Sequence, residues 1–282
     1  MIKILSWNIQ TGKGADGVVS LDRIAHQIQT MGLPDVICLQ EVARGISVGD
    51  KQEPIDQVSE LAKKLPDYQW SFGPAIDAMD AVGRWQFGNV VFSRLQIVCQ
   101  STHILPRPAD ADKRQMPRQA TEVVLQDGDD LWRIITTHLE FQSAKQRLAQ
   151  VLRIRELHEE AVQEQSMPPV VSAERPYQSI PRPSDVVICG DFNMLPNSTE
   201  YQALVGSSKH SSDDLSDAWT LLNQGRDYPP TCGVHDRDQW REGPHCRDFF
   251  FLGGAAKERV VRMRVDTETA ASDHQPLMIE LT

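Results

Sequence analysis

The chain has 282 residues, 40% of them hydrophobic, and its 39 acidic against 29 basic side chains give a formal net charge of -10. That length and apolar content suffice for a full core in one layered domain, so a single domain over residues 1–282 is expected. The acidic balance excludes a broadly basic surface that would bind long nucleic acid by counterion release, and no apolar run approaches the roughly 20 residues of a membrane-spanning helix.

Five cysteines, Cys38, Cys99, Cys189, Cys232 and Cys246, form no C-x-x-C pair, and two of them sit in apolar strand-like runs. They read as reduced core thiols. The opening residues run directly into a motif and leave no space for an export signal, so a cytoplasmic protein is expected, with no sign of an obligate partner and a monomer as the expectation.

In chain order, residues 2–7 read as a buried strand. Ser20 can cap a helix whose apolar positions Leu21, Ile24, Ala25, Ile28 and Met31 follow the helical period until Gly32. Residues 36–39 form the next strand, and Val58, Leu61, Ala62 and Leu65 mark a second helix before strands at 68–72 and 89–93. Strands at 121–125 and 131–137 flank the turn-rich Asp127-Gly128-Asp129-Asp130. Ser143 with Gln146 opens a long helix to about residue 165, with Leu148, Val151, Leu152, Leu157 and Ala161 expected inward. Residues 166–184 carry five prolines and read as a loop, either a substrate lid or a tolerated insertion. Strands at 185–189, 248–252, 260–265 and 276–281 complete the chain. Strands and helices mix irregularly, which suits two packed sheets with helices outside, neither a Rossmann alternation nor an all-β sandwich.

Polar groups recur where these strands end. Glu41 leaves an apolar strand, and it suits either a lone ligand for a hard divalent cation or a solvent-facing strand end. Asn8 can bind a metal, orient a carboxylate or hold a turn. Asp191 and Asn193, two residues apart after a strand, can position and deprotonate a water, or form an Asx turn. His138 ends a strand, and His274 follows Asp273 before the last one; Asp248 is a candidate acceptor to fix an imidazole. Cys232, Cys246, His235 and His245 match no zinc spacing, and no P-loop, dinucleotide fingerprint or serine-hydrolase elbow occurs.

Taken together, Ser6-Trp7-Asn8, Leu39-Gln40-Glu41-Val42, Gly88-Asn89 with Ser93-Arg94, Thr137-His138-Leu139, Gly190-Asp191-Phe192-Asn193, Asp248-Phe249-Phe250 and Ser272-Asp273-His274 resemble the endonuclease/exonuclease/phosphatase superfamily over essentially the whole chain. The resemblance implies a four-layer α/β/β/α sandwich and Mg²⁺- or Mn²⁺-dependent hydrolysis of phosphoesters. By it, Glu41, Asn8 and Asp273 would form the metal's surroundings. Asp191 would orient or deprotonate water with Asn193 beside it, while His138 and the Asp248–His274 pair would contact the phosphate. Arg118 and Asn89 resemble substrate-facing positions. The expected activity is of phosphodiesterase or nuclease type on a nucleic acid, nucleotide or small phosphodiester. A phosphomonoesterase for a small or lipid-derived phosphate is the alternative, and a catalytically inactive phosphate-binding scaffold is a third class. Gln10 stands where many nuclease members carry an acid, and Phe249 where many carry Tyr.

Overall fold

Two mixed sheets lie face to face, and helices cover both outer surfaces. The computed structural model describes residues 1–49, 53–207 and 213–282. Strands β1 (Ile2–Asn8), β2 (Val36–Ile46), β3 (Ile55–Asp56), β4 (Gln69–Met79), β5 (Arg84–Ser93), β12 (Val260–Val265) and β13 (Leu277–Leu281) form the first sheet, in the order β12-β13-β1-β2-β5-β4 with β3 on β2. The second contains β6 (Gln96–Ile104), β7 (Gln119–Asp127), β8 (Asp130–His138), β9 (Val186–Asp191), β10 (Ser216–Asp217) and β11 (Asp248–Gly253), in the order β10-β11-β9-β8-β7-β6. Each sheet has one parallel pair at its centre, β1 with β2 and β8 with β9, and antiparallel neighbours around it.

The period-two alternation of the strands makes the layers. Ile2, Ile4, Val36, Cys38, Trp132, Ile134, Val187, Cys189, Phe250 and Leu252 face between the sheets and form one core. Their alternates Leu5, Trp7, Ile37 and Leu39 pack under α1 (Leu21–Thr30) and α2 (Gln57–Lys64). Ile135, Ile188, Phe249 and Phe251 pack under α3 (Ala144–Ser166) and α4 (Thr199–Val205). The short helices α5 (Ala218–Leu222) and α6 (Ala256–Arg259) send Ala218 and Ala256 into the inter-sheet core. This is the α/β/β/α sandwich. The expected caps form as well: Ser20 Oγ accepts from Arg23 N and Ser143 Oγ from Gln146 N.

Several sequence expectations differ from this structure. The strands expected at 68–72 and 89–93 run on toward each other through residues 74–87 as the β4–β5 hairpin, with a turn at 80–83, because the pairing continues through Met79–Arg84 despite Pro74 and a bulge beside it. Strand β6 and helix α4 had no expected counterpart; β6 is an edge strand with exposed polar alternates, so it carries little apolar signal. On α3, Leu152 faces solvent while Gln146, Gln150, Ile154 and His158 are buried. The amides of Gln146 and Gln150 are used on the backbone carbonyls of Pro108 and Pro106, which makes their burial tolerable. The proline-rich segment enters β9 at Val186, five residue steps and roughly 17 Å from Asp191 at the other end of that strand. It is tied at its base by Arg182 to Leu157 O and Glu160 and by Ser184 to Gln165, and none of its residues lines the cleft described below, so the lid reading does not hold.

Candidate active site

The inter-sheet face turns polar as the central strands reach one end. Following the apolar inward positions come Ser6 and Asn8 on β1, Gln40 on β2, Thr136 and His138 on β8, and Asp191 on β9. Asn8 pairs in register with Gln40 and His138 with Asp191, so both parallel pairs deliver side chains at the same level. Antiparallel β11 brings Asp248 opposite Asp191. Asn8 Nδ2 donates across the sheets to Asp191 Oδ2 at 3.1 Å and within its own sheet to Glu41 Oε1 at 3.1 Å.

Glu41 breaks the alternation. Leu39 faces α1 and α2, so a regular strand would turn Glu41 away from the cleft as well. Instead β2 has an irregularity between Leu39 and Val42, and Glu41 adopts φ 58°. This strained, bulged conformation aims the carboxylate into the cleft. Burial, then the neighbouring Asp273 charge, push its pKa up to about 7. A second local device sits at the end of β9. Gly190 has φ 139°, and a Cβ there would fall 1.9 Å from Thr137 O, so only glycine lets β9 approach β8 this closely. Asp191 Oδ1 then accepts from Asn193 N at 2.9 Å in an Asx turn, while Asn193 Nδ2 donates to Leu139 O. The Asx-turn and reactive-acid alternatives thus coexist, because only one carboxylate oxygen is used by the turn.

The two histidines are held in opposite states. His274 Nδ1 lies 2.8 Å from Asp248 Oδ2, which also accepts from Thr231 Oγ1 at 2.6 Å, and Nε2 lies 3.6 Å from Asp191 Oδ2. Burial opposes a charge on His274, but the carboxylates of Asp248, Asp191 and Asp273 outweigh it and hold the imidazole well above its ordinary pKa. His138 Nε2 lies 3.4 Å from Asp191 Oδ2 and Nδ1 3.8 Å from Glu41 Oε1. There burial, followed by the Arg118 charge, lowers the pKa to about 3. Asp191 is itself buried, which works against its charge, yet His274, His138 and the Asn193 amide keep its pKa below the usual value. Arg118 is 5% exposed, pairs with Glu140 at 3.4 Å and leaves Nη1 without a partner beside the cleft. Asn89 does not line this cleft; it donates to Thr136 O beside a small adjoining cavity.

The cleft has a volume of about 270 Å³. Its floor is Glu41, His138, Asp191, Asn193, Asp273 and His274, and its rim includes Phe87, Met116, Phe141 and Trp240. The sequence motifs do not single out Gln239, Phe141, Thr231 or Glu140. Asp273 Oδ2 accepts from Gln239 Nε2 at 2.7 Å and Trp240 Nε1 at 3.1 Å, and Gln239 Oε1 accepts from Gln10 Nε2 at 2.9 Å. Gln10, the departure noted above, therefore supports Asp273 through one intermediary. Trp240 also packs edge-on against His274. No local sequence signal marks loop residues 231–247 for this task; Glu140 alone had one, two positions beyond His138.

Glu41 and Asp273 fit a hard divalent cation: two oxygen donors in a buried, like-charged setting that raises one of them. Asn8 turns its NH₂ toward the carboxylates and its Oδ1 accepts from Gln10 N, so here it bridges Glu41 to Asp191. Asp191, Asp248 and His274 also cluster within 4.8 Å of one another, with His274 Nδ1 already engaged by Asp248 Oδ2 at 2.8 Å. Cys232 Sγ approaches His245 Nε2 at 3.3 Å while Cys246 Sγ turns to Asp248 O and His235 to Thr267 O, which is no shared metal cage. All five cysteines are free thiols.

No curated protein matches the chain in sequence. A solved structure of an endonuclease/exonuclease/phosphatase from Beutenbergia cavernae superposes with TM-score 0.70 at 22% identity, covering 99% of this chain and 70% of that one. A mannosyl-6-phosphatase from Bacteroides thetaiotaomicron gives 0.69 at 18% identity over 100% of both chains. The human Nocturnin catalytic domain with bound sulfate gives 0.63 at 20% identity, over 100% of this chain and 94% of that one. These likenesses share the fold. The sequence model of the Endonuclease/Exonuclease/phosphatase family matches residues 5–274, nearly the whole chain, and the chain belongs to that family of phosphoester hydrolases.

Proposed function

We propose that this protein hydrolyses a small phosphoester with the help of Mg²⁺ or Mn²⁺. The observation that carries the reading is the convergence of Glu41, Asp273, Asn8, Asp191, His138 and the Asp248–His274 pair on one cleft of about 270 Å³. Glu41 and Asp273 would hold the cation, which when bound supplies charge neutralisation at the phosphoryl oxygens. Asp191, ionised by its neighbours, orients the attacking water through Oδ2, the oxygen the Asx turn does not use and which Asn8 also contacts, and takes a proton as the new bond to phosphorus forms. The ester P–O bond breaks on the opposite side, and the departing oxygen recovers a proton from solvent. The His274 cation and the unpartnered Arg118 Nη1 donate to the oxygens on which charge accumulates, while neutral His138 offers a hydrogen bond. Asn193 fixes the Asp191 turn, and Asn89 stands one layer behind, on Thr136.

The narrow cleft and the net charge of -10 favour a compact phosphoester over a duplex, for either a monoester or a diester. The similarity to a mannosyl-6-phosphatase supports the monoester arm, and the Nocturnin catalytic domain of the same fold was solved with a bound sulfate, an anion of phosphate's shape. A binding-only scaffold has no specific observation in its favour, since none of the expected groups is replaced. The test is nitrophenol release from mono- and bis-nitrophenyl phosphate, with and without chelator, in the parent and in Asp191→Ala and His274→Ala. Cation-dependent turnover that falls about 10³-fold in both variants is expected. Turnover that survives both substitutions would sink the reading.

A further inference from the structure

Phe141 stands three residues past His138 on the rim of the cleft and is 47% exposed. A half-open phenylalanine forgoes burial worth ~25 cal/mol per Å² of apolar surface, yet this one is fixed in place. Arg147 Nη1 donates to the carbonyls of Glu140 and Phe141 at 2.9 and 3.0 Å, and Arg147 pairs with Glu200 of α4 at 2.9 Å. The ring meets Trp240 edge-on, with centroids 5.8 Å apart and planes at 88°. The Arg247 guanidinium lies 5.8 Å from the Phe141 centroid and 5.2 Å from that of Trp240. Phe87 and Met116 continue the apolar rim, whereas the polar groups gather on the floor. A half-exposed aromatic ring, held by an edge-on tryptophan and a guanidinium, therefore stands beside the polar groups of the cleft.

We propose that Phe141 is a stacking platform for a ring carried by the substrate, one with an apolar face such as a nucleobase or a pyranose, joined by a few bonds to the phosphorus held at the floor. The proposal rests on the phosphoester reading above. The volume argues for this class: at about 270 Å³ the cleft is just below the usual small-ligand range of roughly 300–1,000 Å³ and suits a phosphate with one ring-sized group. A fixed aromatic ring backed by Trp240 and Arg247 offers stacking without the ordering cost of a mobile side chain. An acyl chain would need a continuous apolar groove, and the adjoining loop residues Lys113, Arg114, Arg237 and Arg241 are exposed and charged.

Calorimetry with inorganic phosphate, glycerol phosphate, glucose 6-phosphate and adenosine monophosphate tests this, on protein carrying Asp191→Ala to block turnover. At least one ring phosphate should bind about 10-fold more tightly than inorganic or glycerol phosphate. Adding Phe141→Ala should abolish that preference without changing phosphate affinity, and Phe141→Trp should keep it. The nucleotide and sugar arms separate the two kinds of ring. Equal affinities, no ring-phosphate binding, or a preference that survives Phe141→Ala would overturn the platform. Absence of turnover in the parent would instead overturn the hydrolase reading, so the two failures are distinguishable.

Discussion

Strand β8 feeds two groups of buried charge from its opposite faces, His138 into the cleft and Arg133 beneath α3. In the group under α3, each carboxylate has a basic side chain beside it. His103 Nε2 lies 3.2 Å from Glu122 Oε2, His158 Nε2 lies 3.3 Å from Asp213 Oδ2, and Lys257 contacts Asp213. In the cleft, the carboxylates Glu41, Asp191 and Asp273 crowd one another, with a single cationic imidazole among them. Two glutamates, Glu122 buried and Glu41 half-buried, show the outcome. Burial works against the charge on both, but the bond to His103 and the charge of Arg133 bring Glu122 below its ordinary pKa, whereas Asp273 adds to burial and sends Glu41 up to about 7. A buried carboxylate with its counter-charge in place is structural; one left among like charges awaits a cation or a proton.

Exchanging charge for an amide in each group should separate the two roles. The largest effect is expected for Glu41→Gln: hydrolysis falls on the order of 10³-fold. Because the folded Glu41 holds its proton up to about pH 7, stability is lost as pH rises from the ordinary carboxyl range toward 7 and the full cost is present above it, so the same substitution should stabilise the fold in chelator at about pH 8 by roughly 2 kcal/mol or less, read as a higher melting temperature. Glu122→Gln should do the reverse, lowering stability by about 2 kcal/mol and leaving turnover of the folded protein intact, read by thermal melts beside activity. A Glu41→Gln protein that melts earlier than the parent would break the comparison.

Trp240→Phe sharpens it within the cleft. Removing the indole N–H from Asp273 should weaken Mn²⁺ or Mg²⁺ binding about 10-fold by calorimetry, as loss of a bond to a metal-holding carboxylate does elsewhere, with the fold retained. The smallest effect concerns pH. Burial, then the Arg133 charge, lower the His158 pKa in the folded state, while the unfolded chain titrates near 6.5. His158 therefore costs the fold nothing above about pH 6.5, and stability is lost as pH falls below that value and the unfolded state takes up the proton. His158→Gln should flatten the decline of melting temperature between about pH 7 and pH 5.5; an unchanged slope would show that other groups govern it.

The layer architecture was legible because it follows from strand periodicity. Ile2, Ile4 and Asn8, or Trp132, Ile134 and His138, lie on one face of their strands by parity alone, so a core face that turns polar at the strand end can be read without coordinates. The hairpin continuing past Pro74, the edge strand β6 and the buried glutamines of α3 could not be read that way. The hairpin runs through a proline and a bulge that break the local pattern, and the glutamines bond to partners distant in sequence, as Gln150 does to Pro106 O. Glu41 is the instructive exception: parity turns it away from the cleft, and only its motif pointed inward.

By itself the sequence determined the family's motif order, the two helix caps checked above, the polar ends of the central strands and the acidic balance, all properties of local pattern and composition. Only the tertiary structure decided which groups meet. Asn8 joins Glu41 to Asp191, Gln239 and Trp240 hold Asp273, and the proline-rich segment lies at the far end of β9. Opposite protonation of His138 and His274 belongs to the same class of facts. Both are buried histidines beside Asp191, and what separates them is that the Arg118 charge reaches His138 whereas Asp248 and Asp273 add theirs at His274, since the field at a buried imidazole is set by neighbours in space.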